Sequence, residues 1–167
     1  MFTLNCKGRL LLLEKPVVMG IINLTPDSFY SGSRQQAKDA VLTQAEKMLK
    51  EGAQILDLGA QSTRPGSERV SADEEKQRLL EPLAALSARF PEAFISVDTF
   101  YAAVAKAAVE SGACMVNDIS AGALDPEMIA TIASLSVPYV LMHMKGSPQT
   151  MQQQTVYQDL TREVLDY

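Results

Sequence analysis

An α/β fold built from repeated strand–helix units is predicted by three observations on this 167-residue chain. Five short apolar stretches each run into polar residues, helical patterns separate them, and the polar endings recur on every unit. Short continuous apolar runs suit parallel strands buried on both faces, and the segments between them are long enough for crossover helices.

The elements follow in order. Thr3 to Leu12 reads as a short hairpin turning at Lys7-Gly8. Val17, Val18, Met19, Ile21 and Ile22 form the first parallel strand, and Asn23 marks its carboxyl end. Thr25, Asp27 and Ser28 then surround Pro26, a loop of hydroxyls and a carboxylate where α/β proteins place their chemistry, although Pro26-Asp27 also fits an ordinary turn. Ala37, Val41, Ala45, Met48 and Leu49 recur at helical spacing, with Gly52 placed to stop that helix. Ala53 to Gly59 is the next strand, running into Gln61-Ser62-Thr63-Arg64-Pro65-Gly66-Ser67. Ser71 with Glu74 reads as a capping box; Leu79, Leu83 and Leu86 line the buried side of the helix it opens, and Pro82 is expected to bend it. Phe94 to Val97 ends at Asp98-Thr99, and Tyr101, Val104, Ala105 and Ala108 predict a helix closed by Gly112. Cys114 to Val116 ends at Asn117-Asp118, and Asp125-Pro126 is expected to cap a helix that buries Ile129, Ile132 and Ala133. Tyr139 to Met142 ends at His143, and Val156, Leu160 and Val164 predict a final helical stripe.

Repeated βα units build either an open doubly wound sheet or a TIM-type (β/α)₈ barrel. A nucleotide-binding open sheet carries a glycine-rich turn after its first strand, and Asn23 to Ser28 contains no glycine. The barrel is therefore favoured, with residues 1–15 as a hairpin plugging its amino-terminal mouth and 16–167 as five βα units. A complete barrel takes about 250 residues. The expected architecture is thus an incomplete barrel, unable to close in one copy.

Composition narrows the function. At 47% hydrophobic and 21% charged, the chain has ample apolar material for a core, and no apolar run is long enough to span a membrane. A net charge of −5 without basic clusters argues against nucleic acid as a partner. The amino terminus has no basic-then-apolar signal pattern, which leaves the cytoplasm as the default expectation and Cys6 and Cys114 as free thiols.

Three blocks stand out: Met19-Gly20-Ile21-Ile22-Asn23-Leu24-Thr25-Pro26-Asp27-Ser28-Phe29, Asp57-Leu58-Gly59-Ala60-Gln61-Ser62-Thr63-Arg64-Pro65-Gly66, and Val140-Leu141-Met142-His143-Met144-Lys145-Gly146. In order and spacing they resemble the dihydropteroate synthase family, pterin-binding barrel enzymes of folate biosynthesis and targets of sulfonamides. The resemblance runs from about Leu4 to the last residue and corresponds to the amino-terminal three-fifths of such an enzyme. It implies condensation of (7,8-dihydropterin-6-yl)methyl diphosphate with 4-aminobenzoate, giving 7,8-dihydropteroate and pyrophosphate with Mg²⁺ as cofactor. It also implies a homo-oligomer, a dimer in the parent enzyme.

Residue by residue, the resemblance makes Asn23 the magnesium contact; the same Asn would also serve as a strand-end cap. It gives Thr63 a place on the pterin diphosphate, against the simpler role of helix cap. Asp98 becomes the catalytic and pterin-binding carboxylate, with an internal salt bridge as the competing explanation. Asn117 would use its carbonyl and amide on the pterin ring, and Asp118 would support the loop. Ser28, Phe29 and Pro65, with Thr63, are the candidates for the aminobenzoate pocket, on two loops expected to be mobile. His143, the sole histidine, is expected only to line the barrel, and Met142 to pack beneath the pterin or fill core volume.

Tyr30-Ser31-Gly32-Ser33 departs from the more acidic, glycine-paired turn common in the family. The family's second pterin aspartate, its lysine and the arginine and histidine of its last strand have no counterpart here. The isolated chain is therefore expected to be inactive. A pterin-dependent methyltransferase of the same barrel type and a non-catalytic remnant remain the alternatives, though the Ser-Thr-Arg-Pro-Gly block favours the synthase.

Overall fold

The computed structural model describes residues 2–24, 34–61, 69–147 and 150–167. The expected hairpin is present as β1 (Phe2–Cys6) and β2 (Arg9–Leu13), paired antiparallel with Cys6 opposite Arg9. Lys7 and Gly8 turn it with φ of 53° and 86°. Two successive positive φ values define the primed turn whose twist matches that of the strands. The Asn5 side chain completes the turn by accepting from the Gly8 amide at 2.8 Å.

The remaining strands form one parallel sheet in sequential order: β3 (Val18–Asn23), β4 (Ala53–Gly59), β5 (Phe94–Asp98), β6 (Met115–Asp118) and β7 (Tyr139–Leu141). Between them run α1 (Arg34–Lys50), α2 (Ala72–Arg89), α3 (Ala102–Glu110) and α4 (Met128–Leu135). Sequential order with each helix packed beside the next is the arrangement of a singly wound barrel wall. No helix among the described residues is long and apolar enough to cross a membrane.

Strand alternation divides the side chains between two environments. Toward the helices point Ile22, Leu56, Leu58, Ile95, Val97 and Val116, which meet Val41, Ala45, Leu79, Leu83, Leu86, Val104, Ala108 and Met128 in the main core. Fully burying each such Leu or Val contributes roughly 1.5–3 kcal/mol before entropy is counted. On the opposite face the amino-terminal ends of the strands bring Met19, Ile55, Phe94 and Met115 against Cys6 and Leu11 of the hairpin. Lys7 Nζ donates to the Val109 carbonyl at 2.7 Å, and Arg9 donates to Pro91 and Ala93 carbonyls while lying over the Phe94 ring. The hairpin thus closes the lower end of the inner face. Cys6 and Cys114 are both buried free thiols there, and burial, reinforced by Cys114, pushes the Cys6 thiol up to about 11.

Half of the expected capping box forms: the Ser71 hydroxyl accepts from the Glu74 amide at 3.2 Å, while the Glu74 carboxylate pairs with Arg78. α2 continues from Ala72 to Arg89 with Pro82 inside it. Two expectations need correction. α4 buries Met128 and Ile132, whereas Ile129 is 53% exposed and Ala133 is exposed. Because the helix begins at Met128, the i, i+4 stripe runs through 128 and 132, and Ile129 is rotated about 100° off it. The last helix, α5 (Leu160–Leu165), has six residues and buries none of them, and Val156 lies outside it, 84% exposed. Asp159 caps that helix by accepting from the Arg162 amide, so the expected stripe is cut after Val156.

Candidate functional site

Register alone gathers the polar strand ends. Asn23 pairs with Gly59, Gly59 with Asp98, Asp98 with Asn117 and Asn117 with Val140, so one row across the sheet carries the strand-end site candidates. One row nearer the hairpin lie Ile21, Asp57 and Ser96. This rim is the carboxyl end of every strand, where barrel enzymes place their chemistry. A groove lined by Leu10, Leu12, Leu49 and Phe90 lies at the other end of the sheet and shares no residue with it.

The centre of the row is acidic. Asp57 is buried, with Oδ2 accepting from Asn117 Nδ2 at 3.2 Å across the intervening strand, while its Oδ1 and the buried Ser96 Oγ have no hydrogen-bond partner among the described residues. Burial raises the Asp57 carboxyl above its ordinary range. Asp98 is pushed up to about 7, by burial first and then by the Asp57, Glu75 and Asp118 charges. Glu75, in the first turn of α2, is fully buried with neither carboxylate oxygen partnered among the described residues, and burial pushes it up to about 7. None of Asp57, Asp98 and Glu75 has an ion-pair partner among the described residues. The internal salt bridge weighed for Asp98 is therefore absent from that set.

Buried carboxylates without counter-charge are costly, and a ligand that donates N–H groups or carries positive charge would offset that cost. Gly59 keeps the surface over one of them open: a Cβ there would lie 3.4 Å from Asp98 Cβ and Oδ2. Asn23 is exposed at the end of β3, and its side chain makes no hydrogen bond among the described residues. It is thus free to present a neutral oxygen outward rather than to cap its strand. No cluster of three or more acidic, histidine or cysteine side chains able to hold a metal exists among the described residues. A single neutral oxygen nonetheless fits Mg²⁺, which takes most of its ligands from water and substrate phosphates.

Asp118 does support the loop after β6. Its Oδ1 accepts from the Ser120 amide and hydroxyl, and its Oδ2 from the Gly122 amide and the Tyr139 phenol at 2.6 Å. His143 packs at a tilt against Tyr157 and edge-to-face against Tyr167, with centroids at 5.8 and 4.8 Å, in contact with the carboxyl-terminal segment. Met142 is half-buried beside it. Thr63, Pro65, Ser28 and Phe29, with the two loops that carry them, lie outside the described residues.

Sequence reasoning passed over Asp57 and Glu75. Asp57 had a usable signal, an acid inside the otherwise apolar run Ile55-Leu56-Asp57-Leu58. Glu75 had none, because acids after an N-cap are ordinary solvent-facing helix residues.

A wall of sequential βα units with a polar, carboxylate-bearing rim defines a barrel-type ligand-binding enzyme scaffold. Residues 19–167 match the pterin binding enzyme family, and the chain belongs to it. Among its relatives, the mitochondrial folate synthesis bifunctional protein of Pisum sativum is 52% identical over 142 residues, 83% of this chain and 27% of that protein. The Yersinia pestis dihydropteroate synthase, solved in complex with a sulfonamide drug, superposes with a TM-score of 0.85 at 39% identity, covering 99% of this chain and 59% of that one. The Xanthomonas albilineans dihydropteroate synthase, solved with 4-aminobenzoic acid, gives a TM-score of 0.83 at 40% identity over 98% of this chain and 57% of its own. The chain therefore spans less than two thirds of the length of each of these relatives.

Proposed function

We propose that the chain carries the pterin-binding wall of a dihydropteroate synthase, a transferase that joins (7,8-dihydropterin-6-yl)methyl diphosphate to 4-aminobenzoate. The observation that carries this reading is the row Asn23, Gly59, Asp98, Asn117, in which a half-buried carboxylate with no ion-pair partner among the described residues lies open to the inner face between Gly59 and Asn117.

In the reaction the bond from the methylene carbon to the diphosphate oxygen breaks, a bond from that carbon to the aminobenzoate nitrogen forms, and the nitrogen loses a proton. Arylamines are weak nucleophiles, so the site gains most by easing departure of the diphosphate. Positive charge then develops on the pterin methylene and spreads into the ring. An anionic Asp98 beside that ring stabilises the transition state more than the neutral substrate, which is the condition for catalysis rather than mere binding. Asn117 fixes the ring by donating and accepting at its edge, while Asp57, holding the Asn117 amide at 3.2 Å, sets which way that amide faces. Asn23 would hold Mg²⁺, which when bound neutralises the leaving diphosphate. Thr63 and Ser28 supply hydroxyls to the diphosphate and aminobenzoate, with Phe29 and Pro65 as apolar walls.

The isolated 167-residue chain is expected to bind the pterin without turning it over. Five strands leave the inner face open, Ile21 beside the row being 58% exposed, so water reaches the reacting carbon. Calorimetric titration with the pterin diphosphate tests the reading. Binding should be measurable and should fall at least tenfold in Asp98→Asn at pH 8. Equal affinity of the two chains would refute the role of Asp98.

A further inference from the structure

Behind the rim, the backbone of one residue is held from two sides. The Val70 amide donates to Gln61 Oε1 at 3.1 Å, and the Val70 carbonyl accepts from the Tyr101 phenol at 3.0 Å. Gln61 follows β4, and Tyr101 follows β5 as the residue that starts α3. Tyr101 is itself fixed: its amide donates to Thr99 Oγ1, its carbonyl accepts from the Val104 and Ala105 amides, and its ring lies 4.6 Å from the buried Phe100 ring. Arg69 lies over that same Phe100 ring at 5.3 Å. Two consecutive residues, Arg69 and Val70, are therefore stitched to two others, Phe100 and Tyr101, two and three residues past Asp98. Ser71 next caps α2, which delivers Glu75 beside Thr99.

We propose that Tyr101 is a positioning residue: its phenol, together with the Gln61 side chain, locks Val70 so that the stem of the β4–α2 connection moves as one body with the Asp98 strand end. A hydrogen bond from a half-buried tyrosine hydroxyl suits this work, because the ring is pinned by packing and only the oxygen is spent on the tether. The ligand half of the inference rests on the proposed function. If that connection meets the diphosphate while Asp98 meets the ring, the tether fixes the distance between the two ends of one substrate. Misplacement by even one ångström then weakens binding of the whole molecule but not of its ring alone.

The test uses the 167-residue chain. Tyr101→Phe removes only the hydroxyl, and Gln61→Leu removes the other tether at Val70. Amide exchange read residue by residue should show Val70 exchanging about tenfold faster in Tyr101→Phe, with Val104 and Ala105 unchanged. Affinity for the pterin diphosphate should fall about fivefold, whereas that for the same pterin with a hydroxymethyl group in place of the diphosphate should stay within twofold. Gln61→Leu should reproduce the Val70 change, and the double variant should exchange no faster than the product of the two single effects. Unchanged Val70 exchange in Tyr101→Phe, or an equal rise across α3, would overturn the anchor. Equal weakening for both pterins would overturn the ligand half. A wild-type chain that binds neither pterin would instead remove the functional reading, with the exchange result still deciding the anchor.

Discussion

Glu75 and Asp98 give the molecule an unusual acid–base profile. Each carboxyl holds its proton more tightly when folded, Glu75 rising from 4.5 to about 7 and Asp98 from 3.8 to about 7. Their contribution to stability is thus complete below the ordinary carboxylate range and is lost as pH rises toward 7, opposite in sign to a salt-bridged carboxylate. Replacing Glu75 by Gln keeps shape and removes the charge. The variant should match wild type near pH 4 and exceed it at pH 8 by on the order of 2–3 kcal/mol, as read from urea unfolding at each pH. A constant difference across that range would show that Glu75 titrates alike in the folded and the unfolded chain, so that burial does not shift it. Because the two carboxyls feel one another, Asp98→Asn and Glu75→Gln should not add. That Asn23, Asp98 and Asn117 share one rim was legible in the sequence because each breaks an apolar run at its end. Asp57 was hidden by sitting one turn of the pleat earlier, and Glu75 by the resemblance of any helix start to any other.

Elements were legible where a local signal set their ends. Ser71 with Glu74 fixed the start of α2, and Lys7-Gly8 the hairpin turn, because both are decided within four residues. Asp125 shows the limit of such signals. From sequence it caps the helix that follows it, yet its Oδ2 accepts at 2.8 Å from the amide of Ala102, the first residue of α3, while Oδ1 accepts from Glu127. One carboxylate therefore serves a helix 23 residues away, which no reading of neighbours reveals. Asp125→Ala should cost about 1 kcal/mol, and more than Ser71→Ala, since it frees the α3 terminus and the turn before α4 together. Equal midpoint shifts in denaturant for the two variants would show that the cap on Ala102 contributes nothing. The α4 stripe was partly misplaced for a related reason: the helix opens at Met128, two residues later than Asp125-Pro126 suggests, and its buried line runs through Met128 and Ile132 rather than through Ile129 and Ala133.

At the scale of the molecule, the open sheet is the dominant fact. Val18 and Ile21 on β3, with Val140 and Leu141 on β7, are exposed apolar residues on its two edge strands. Parallel strands are rarely stable with an uncovered face, and unpaired edges template association. Light scattering on the purified chain should therefore show self-association at micromolar concentration, reduced by Ile21→Lys. A monomer that stays dispersed would mean that the inner face tolerates water. Sequential strand order was legible from the βα repeat, whereas the openness of the wall followed only from counting strands against length.

The hairpin has a consequence in time. In the sheet, each strand pairs with the one that follows it in the sequence, so every unit can add to its predecessor as soon as it exists. Among the hydrogen bonds of the described residues those of the hairpin reach farthest, from Lys7 to Val109 across 102 residues and from Arg9 to Ala93 across 84. It closes locally within microseconds but has nothing to dock on until β5 and β6 are built. Docking is then the last step in and the first step out. Leu11→Ala, which hollows that contact, should cost about 2–3 kcal/mol almost wholly as faster unfolding, with the refolding rate unchanged in stopped-flow experiments. A slowed refolding limb would place the hairpin in the nucleus instead, and would mean that the first residues of the chain wait for its middle before the rest can settle.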